Sequence, residues 1–327
     1  MILENIANTV LFGPLNRTVN NLYIITAYAT PNMLSWYIGN LQGKIQVPLS
    51  IALLLGMVPF DGISVSAHDG FIQLLGSEHP NEIKKIECSY LFDPPAVHSN
   101  VFIWAKDGEP ILAYSGSVNF VQSSLVGSHR KEVLNECDPI LAMEYYNSLI
   151  DRSIYATHPE IEEYVVLHAT HDILDRENHS VENAELLARD GYESIRLRLT
   201  TKNGEPGKRS GLNWGQRPKR NSNEAYIPLP VKVAKSGFFP LEGRHFTVIT
   251  DDRRQLILRI EQQNNKAITT PARNSDLGEY FRNRLGVANG EHITRSILDD
   301  YGRTDVTFIR LDEETYYMDF SPRHKHA

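Results

Sequence analysis

The residues whose types and spacing could do chemistry lie in one stretch, Val97 to Phe120 (VHSNVFIWAKDGEPILAYSGSVNF). A strand over 97–104 would put His98 and Asn100 on one face, turned away from Val97, Ser99 and Val101. Past the Lys106-Asp107-Gly108 turn, a second strand leads into Gly116-Ser117-Val118-Asn119, where Ser117 and Asn119 again share a face. Such a hairpin gathers an imidazole, two side-chain amides and a hydroxyl into one polar cluster. The bland alternative is a row of ordinary polar residues facing solvent. No metal site is expected, because Cys88 and Cys137 stand far apart with no paired histidines at ligand spacing. No Gly-x-x-x-x-Gly-Lys-Ser/Thr occurs either, so no nucleotide cofactor is expected in a P-loop.

The elements that must position this cluster read as an α/β layer. Leu22 to Tyr28 is a short apolar run, and Thr30-Pro31 then opens a helix that carries Met33, Trp36, Tyr37 and Leu41. Ile51 to Gly56, Ile86 to Leu91, Val97 to Trp104 and Pro110 to Tyr114 read as strands, and Asp138-Pro139 caps a helix running to about Ile154. The acidic stretch 151–193 has helical spacing at Ile161, Val165 and His168 and at Leu186 and Leu187, which suggests connecting helices.

From Ser194 the texture changes. Ile195 to Leu199 is strand-like, and hairpins are expected over Phe246 to Ile260 and Val306 to Phe320. Two short helices lie between them, Asp276 to Leu285 and Thr294 to Tyr301, each followed by glycine. This is the pattern of a compact, mainly-β, barrel-like domain. The expected organisation is a domain over 1–155, an acidic helical connector over 156–190 and a second domain over 191–327.

The 327 residues carry a formal charge of -7, which taken alone argues against a nucleic-acid partner. The average hides a partition. Residues 1–150 hold 7 basic and 13 acidic side chains, residues 151–193 hold 3 and 11, and residues 194–327 hold 23 and 16. The second domain is thus the basic part of an acidic chain, as a nucleic-acid-binding half would be. Its stretch Lys208 to Asn223 (KRSGLNWGQRPKRNSN) mixes Arg209 with Asn213, Trp214, Gln216 and Arg217 as DNA contacts, of which Arg suits guanine and Asn or Gln adenine, and Lys219 and Arg220 better suit phosphates. A second polar arm, Gln262 to Asn274, adds Lys266, Arg273 and Asn274. Two solvated loops are the alternative reading. The longest apolar run, Ile51 to Val58, is far short of a membrane span, the N-terminus has no basic leader, and two cysteines suit a reducing cytoplasm.

The His98–Asn119 arrangement resembles the half-site of the phospholipase D superfamily, His-x-Lys followed by Gly-Ser-x-Asn. The resemblance implies His98 as nucleophile, Ser117 and Asn119 as phosphate ligands, and Glu132 as the acid that orients the histidine. Asn100 stands where the family has lysine, and Ala105 where it often has aspartate. Lys106, Arg130 and Lys131 are the neighbouring cations in sequence. Histidine can attack phosphorus directly and form a phosphohistidine without a metal, while a second group protonates the leaving oxygen. A single His98 cannot fill both roles. No second His motif is followed by Gly-Ser-x-Asn, so a homodimer sharing its active site across a two-fold axis is expected.

Across the whole chain the sequence is similar to the NgoFVII-type restriction endonucleases, most specifically through SGLNWGQRP and the following EAYIPLP (Glu224 to Pro230). That resemblance implies a phospholipase-D-like nuclease domain joined to a B3-like DNA-binding pseudobarrel. It implies sequence-specific, metal-independent cleavage of double-stranded DNA in a restriction–modification system, with a separate ATPase or helicase-like subunit as a further partner. A catalytically impaired DNA-binding module is the alternative that Asn100 leaves open. A phospholipid-acting enzyme fits less well, since no amphipathic membrane helix stands out.

Overall fold

The computed structural model describes residues 1–126, 130–168, 191–271 and 273–323. The chain divides into two compact units, 1–170 and 171–327.

The first unit is built on a seven-stranded mixed sheet. Its strands in chain order are β1 (Asn21–Thr26), β2 (Leu49–Leu55), β4 (Ile83–Leu91), β5 (Asn100–Lys106), β6 (Glu109–Gly116), β7 (Leu134–Cys137) and β8 (Ser153–Tyr155). Two-residue strands β3 (Ile63–Ser64) and β9 (Leu167–His168) pair separately. The spatial order is β7-β6-β5-β1-β2-β4-β8. β1, β2 and β4 run parallel, whereas β1–β5, β5–β6, β6–β7 and β4–β8 are antiparallel.

The central strands are apolar on both faces because both faces are covered. Leu22 and Ile24 of β1, with Phe102 and Trp104 of β5, face one core. Ile25, Val101 and Ile103 face the other, where the Pro139–Ile150 helix lays down Ala142, Tyr146 and Leu149. That helix starts where the sequence indicated, with Asp138 Oδ1 accepting from the backbone N–H of Ile140 and Leu141 at 2.8 and 3.1 Å. The Pro31–Gly39 helix is capped in the same way, by Thr30 Oγ1 on Met33 N–H at 3.2 Å.

Three expectations shift. The strand expected from Val97 begins at Asn100, so His98 sits in the segment leading into it. The helix from Pro139 ends at Ile150, and β8 follows it. Within the acidic stretch, Ile161–Tyr164 forms a single helical turn, but Leu167–His168 pairs as a strand, so the helical spacing at 161–168 is only partly used. Leu186, Leu187 and the boundary near residue 190 lie outside the described residues.

The second unit is a seven-stranded sheet curled into a nearly closed barrel. Its strands are β10 (Ser194–Arg198), β11 (Ile227–Pro228), β12 (His245–Thr250), β13 (Gln255–Glu261), β14 (Ala267–Thr269), β15 (Asp305–Arg310) and β16 (Thr315–Asp319). The order is β10-β15-β16-β12-β13-β14-β11, and the two end strands β10 and β11 approach each other. Both expected hairpins form, β12–β13 and β15–β16. So do both helices, Asn274–Leu285 and Arg295–Tyr301, each ending on a left-handed glycine, Gly286 at φ +68 and Gly302 at φ +88. The barrel interior is filled by Phe238, Phe239, Phe246, Phe308 and Tyr316 in edge-on and tilted contacts.

Candidate active site and nucleic-acid interface

Strand direction alone collects the polar cluster. β1 and β2 run parallel, so the segments leaving them, from Ala27 and from Gly56, emerge at one end of the sheet. β5 is antiparallel to β1 and pairs Val101 with Ile25, which brings its first residue, Asn100, to that end. Asn100 pairs with Gly116 at the end of β6, and Gly116 with Leu134 at the start of β7. His98, Gly-Ser-x-Asn and Glu132 therefore meet at the carboxyl ends of the parallel strands, the usual place for a ligand in an open α/β sheet. Lys106 sits at the opposite end of β5, paired with Glu109, and cannot stand in for the missing lysine.

Two glycines allow the backbones to close up. A Cβ at Gly116 would lie 2.0 Å from the Val133 carbonyl oxygen, and one at Gly56 would lie 2.3 Å from that of Val97. Gly56 also accepts from Val97 N–H at 2.8 Å, which fixes the segment carrying His98.

Asn100 is only 2% exposed and is fully engaged as a clamp. Its Oδ1 accepts from Thr26 Oγ1 at 2.8 Å and from Ala27 N–H at 3.0 Å, and its Nδ2 donates to the Ser117 carbonyl at 3.1 Å. One side chain thus ties β1, β5 and the Gly-Ser-x-Asn turn together. Thr26 extends the junction, because its Oγ1 also accepts from Phe120 N–H at 3.0 Å. Asn119 Oδ1 accepts from Tyr28 N–H at 3.3 Å.

His98 and Ser117 are exposed, while Asn119 and Glu132 are half-buried. Glu132 does not bond His98. Its carboxylate accepts from Ser117 Oγ at 2.5 Å and from Ser124 Oγ at 2.8 Å, and Ser117 Oγ in turn accepts from Val133 N–H. The ring neighbour of His98 is Tyr28, edge-on with centroids 6.1 Å apart. The Tyr28 hydroxyl donates to Asp61 Oδ2 at 2.5 Å. That hydrogen bond, then burial, raises the phenol above its ordinary pKa, so it stays protonated. Thr26, Tyr28, Asp61 and Ser124 escaped the sequence reading. Tyr28 had a signal, a polar-tipped aromatic closing an apolar strand, but Asp61 had none. Among the described residues no group of three His, Cys, Asp or Glu side chains could hold a metal ion.

In the second unit, the residues chosen for base contact fall into two sets. Asn213 is completely buried. Its Nδ2 donates to the carbonyls of Ile293 and Gly207 at 2.8 and 3.1 Å, and its Oδ1 accepts from Ile293 N–H at 2.8 Å. Gln216 donates to the Gly290 carbonyl at 2.9 Å, and Trp214 is nearly buried with the Arg220 guanidinium 3.8 Å above its ring. Arg220 also pairs with Glu224. These groups build the loop, which corrects the expectation that Asn213 reaches a base edge and that Trp214 contacts DNA: buried groups with satisfied partners cannot.

Arg282, passed over in the sequence, braces the same loop from below by donating to the carbonyls of Leu212, Asn223, Gly278 and Glu291. The outward residues include cations. Arg209, Arg217 and Lys219 are exposed on this loop, with Arg217 Nε resting on the Arg209 carbonyl at 2.8 Å. On the second arm Lys266 and Arg273 are exposed, Arg273 lying 3.2 Å from Asp276, and Asn274 is half-buried at the helix start.

A polar cluster of His, Ser, Asn and Glu at the end of a mixed sheet, joined in one chain to a barrel with basic loops, defines a phospholipase-D-like nuclease domain with a DNA-binding domain. Family models agree over nearly the whole chain: the NgoFVII restriction endonuclease N-terminal PLD domain matches residues 4–163, and the NgoFVII C-terminal B3-like DNA-binding domain matches residues 187–312. The chain belongs to the NgoFVII restriction endonuclease family. It is a restriction endonuclease of the phosphodiesterase class, with DNA as its partner. Among solved structures it is similar to NucT from Helicobacter pylori, at 14% identity over 46% of this chain and 90% of that one, TM-score 0.31. It is also similar to Nuc, a phospholipase D family member from Salmonella typhimurium, at 14% identity over 46% and 90%, TM-score 0.28. Polyphosphate kinase from Porphyromonas gingivalis matches at 15% identity over 50% of this chain and 25% of that one, TM-score 0.29. No curated protein matches. Among the described residues no helix is long and apolar enough to cross a membrane.

Proposed function

We propose that the chain cleaves double-stranded DNA at a specific sequence by direct attack of His98 on phosphorus, without a metal, in a homodimer whose two His98 residues share one active site. The observation that carries this reading is the exposed His98 at the same end of the sheet as Ser117, Asn119 and Glu132, with one such motif per chain. Attack by an imidazole nitrogen forms a phosphorus–nitrogen bond and expels one DNA oxygen, which takes its proton from the partner subunit's His98. Water then opens the phosphohistidine and restores the imidazole. Ser117 and Asn119 hold the non-bridging oxygens, with Glu132 fixing Ser117. Because Asn100 is committed to the backbone, the neutralising charge comes from Arg130 and Lys131, both exposed and next to Glu132 in the chain. In the second unit, Arg209, Arg217, Lys219, Lys266 and Arg273 carry the DNA contacts, and a separate ATPase-type subunit acts as an accessory partner in a reducing cytoplasm.

The test is cleavage of a mixed duplex substrate in EDTA, with and without candidate ATPase partners. Cutting that survives chelation and disappears in His98→Ala supports the reading, and a His98→Ala protein that cuts normally overturns it. The absence of a cation at position 100 favours one second reading, a catalytically impaired DNA-binding module. Any His98-dependent cleavage by the purified chain rejects it.

A further inference from the structure

Glu132, the acid that the family motif assigns to orienting the histidine, is bound by Ser117 and Ser124. His98 makes no hydrogen bond through its ring to any described residue, yet a nucleophilic imidazole must present one nitrogen to phosphorus within a narrow cone. We infer that Tyr28, tethered by Asp61, is the positioning residue for His98, holding its ring by edge-on aromatic contact where a carboxylate hydrogen bond would ordinarily act.

Both ends of Tyr28 are fixed. Its N–H donates to Asn119 Oδ1, and its carbonyl accepts from Phe120 N–H at 3.1 Å and from Thr26 Oγ1 at 2.9 Å, protons it shares with Thr26 Oγ1 and Asn100 Oδ1 respectively. The backbone is therefore tied into the junction that Asn100 clamps, and the ring lies against His98. At the far end, the hydroxyl is held by Asp61 at 2.5 Å. Asp61 closes the single helical turn Val58–Asp61 that follows β2, and its N–H bonds the Met57 carbonyl at 3.0 Å. A ring pinned at both ends is a rigid wall. His98 meets it at an interplanar angle of 85°, close to the T-shaped arrangement that aromatic rings prefer. Tyr28 keeps 41% of its surface exposed, so the tether does not serve to bury it. Its phenol stays protonated and does not compete as a nucleophile.

This inference rests on the nuclease reading above, and the two can fail separately. Single-turnover cleavage and the NMR signals of the His98 ring, in the full chain, read it together. Tyr28→Leu should lower kcat about two- to tenfold, the worth of an aromatic pair, with KM unchanged. The same substitution should also remove the ring-current shift from the His98 ring protons. Tyr28→Phe and Asp61→Ala each cut the tether and should each give part of that loss. Their combination should be no worse than either alone, because one interaction is removed once. Asp61→Asn keeps an oxygen acceptor and should restore most of the rate. A higher KM with kcat retained in Tyr28→Leu would make Tyr28 a DNA contact and overturn the inference, as would unchanged His98 shifts or additive losses in the double variant. If wild-type cleavage survives His98→Ala, the nuclease reading falls, and the NMR shifts alone still decide whether Tyr28 fixes the ring.

Discussion

Two buried asparagines, Asn100 in the nuclease unit and Asn213 in the barrel, invite comparison because each looks like a working residue in the sequence. Each proves to be a clamp, Asn100 bonded to backbone and to the Thr26 hydroxyl, Asn213 to backbone alone, in each case including a segment more than seventy residues away. They differ in what they support. Asn100 bonds the Ser117 carbonyl and stands two residues from exposed His98, so the clamp and the reactive groups share one junction. Asn213 lies beneath a loop whose outward residues, Arg209, Arg217 and Lys219, are cations of little geometric demand. The first unit holds polar atoms in a hydrogen-bonded junction, as bond-making needs, whereas the second presents exposed cations, whose demands on geometry are smaller.

The comparison can be broken by removing each clamp. Asn100→Ala and Asn213→Ala should each cost about 3 kcal/mol, because several buried partners lose their hydrogen bonds. Thermal unfolding and activity should separate them. Asn100→Ala should abolish cleavage while DNA affinity persists, and Asn213→Ala should weaken affinity for every duplex alike. Equal effects of both on both readouts would erase the distinction drawn here. Asn100→Lys sharpens it further. That change restores the family's cation but buries an unpaired ammonium, so it should lower the melting temperature and leave cleavage no faster than wild type. A faster enzyme would mean that the clamp is dispensable.

A more gradual effect on stability concerns pH and belongs to the barrel. Burial, and secondarily the Arg259 guanidinium opposite it on β13, pull His245 down to about 3. The unfolded chain binds this proton near pH 6.5 and the folded barrel does not. Barrel stability is therefore complete above pH 6.5 and declines as pH falls toward 3, by about 1.4 kcal/mol per unit at most. Denaturant titrations of wild type and His245→Phe across that range should show a slope in the first and a flatter one in the second. Smallest of all, Lys219→Ala should lower the slope of log affinity against log salt by about one without altering sequence preference. A change of preferred sequence would mean that Lys219 reads bases.

Much of the nuclease unit was legible because its strands are continuous apolar runs and its caps, Thr30-Pro31 and Asp138-Pro139, are local signals. The cluster was legible because spacing in a hairpin fixes which residues come to one end. The use made of each side chain was not. Burial of Asn100 depends on Thr26 and Ala27, more than seventy residues earlier. The Tyr28–Asp61–His98 contact joins two loops and a helical turn that no periodicity links. In the barrel, hairpins and glycine-ended helices could be read locally, but Asn213 and Gln216 looked like base readers, and Trp214 like a DNA contact, by residue type alone. Only the return of residues 290–293 beneath the loop makes two of them internal donors.

The most direct test of the account is to look for the covalent bond it requires. Wild-type protein quenched with alkali during cleavage of a defined duplex in EDTA should carry an alkali-stable, acid-labile phosphoramidate at His98, absent in His98→Ala. Cleavage with no protein–DNA adduct, or with an adduct at another residue, would contradict it.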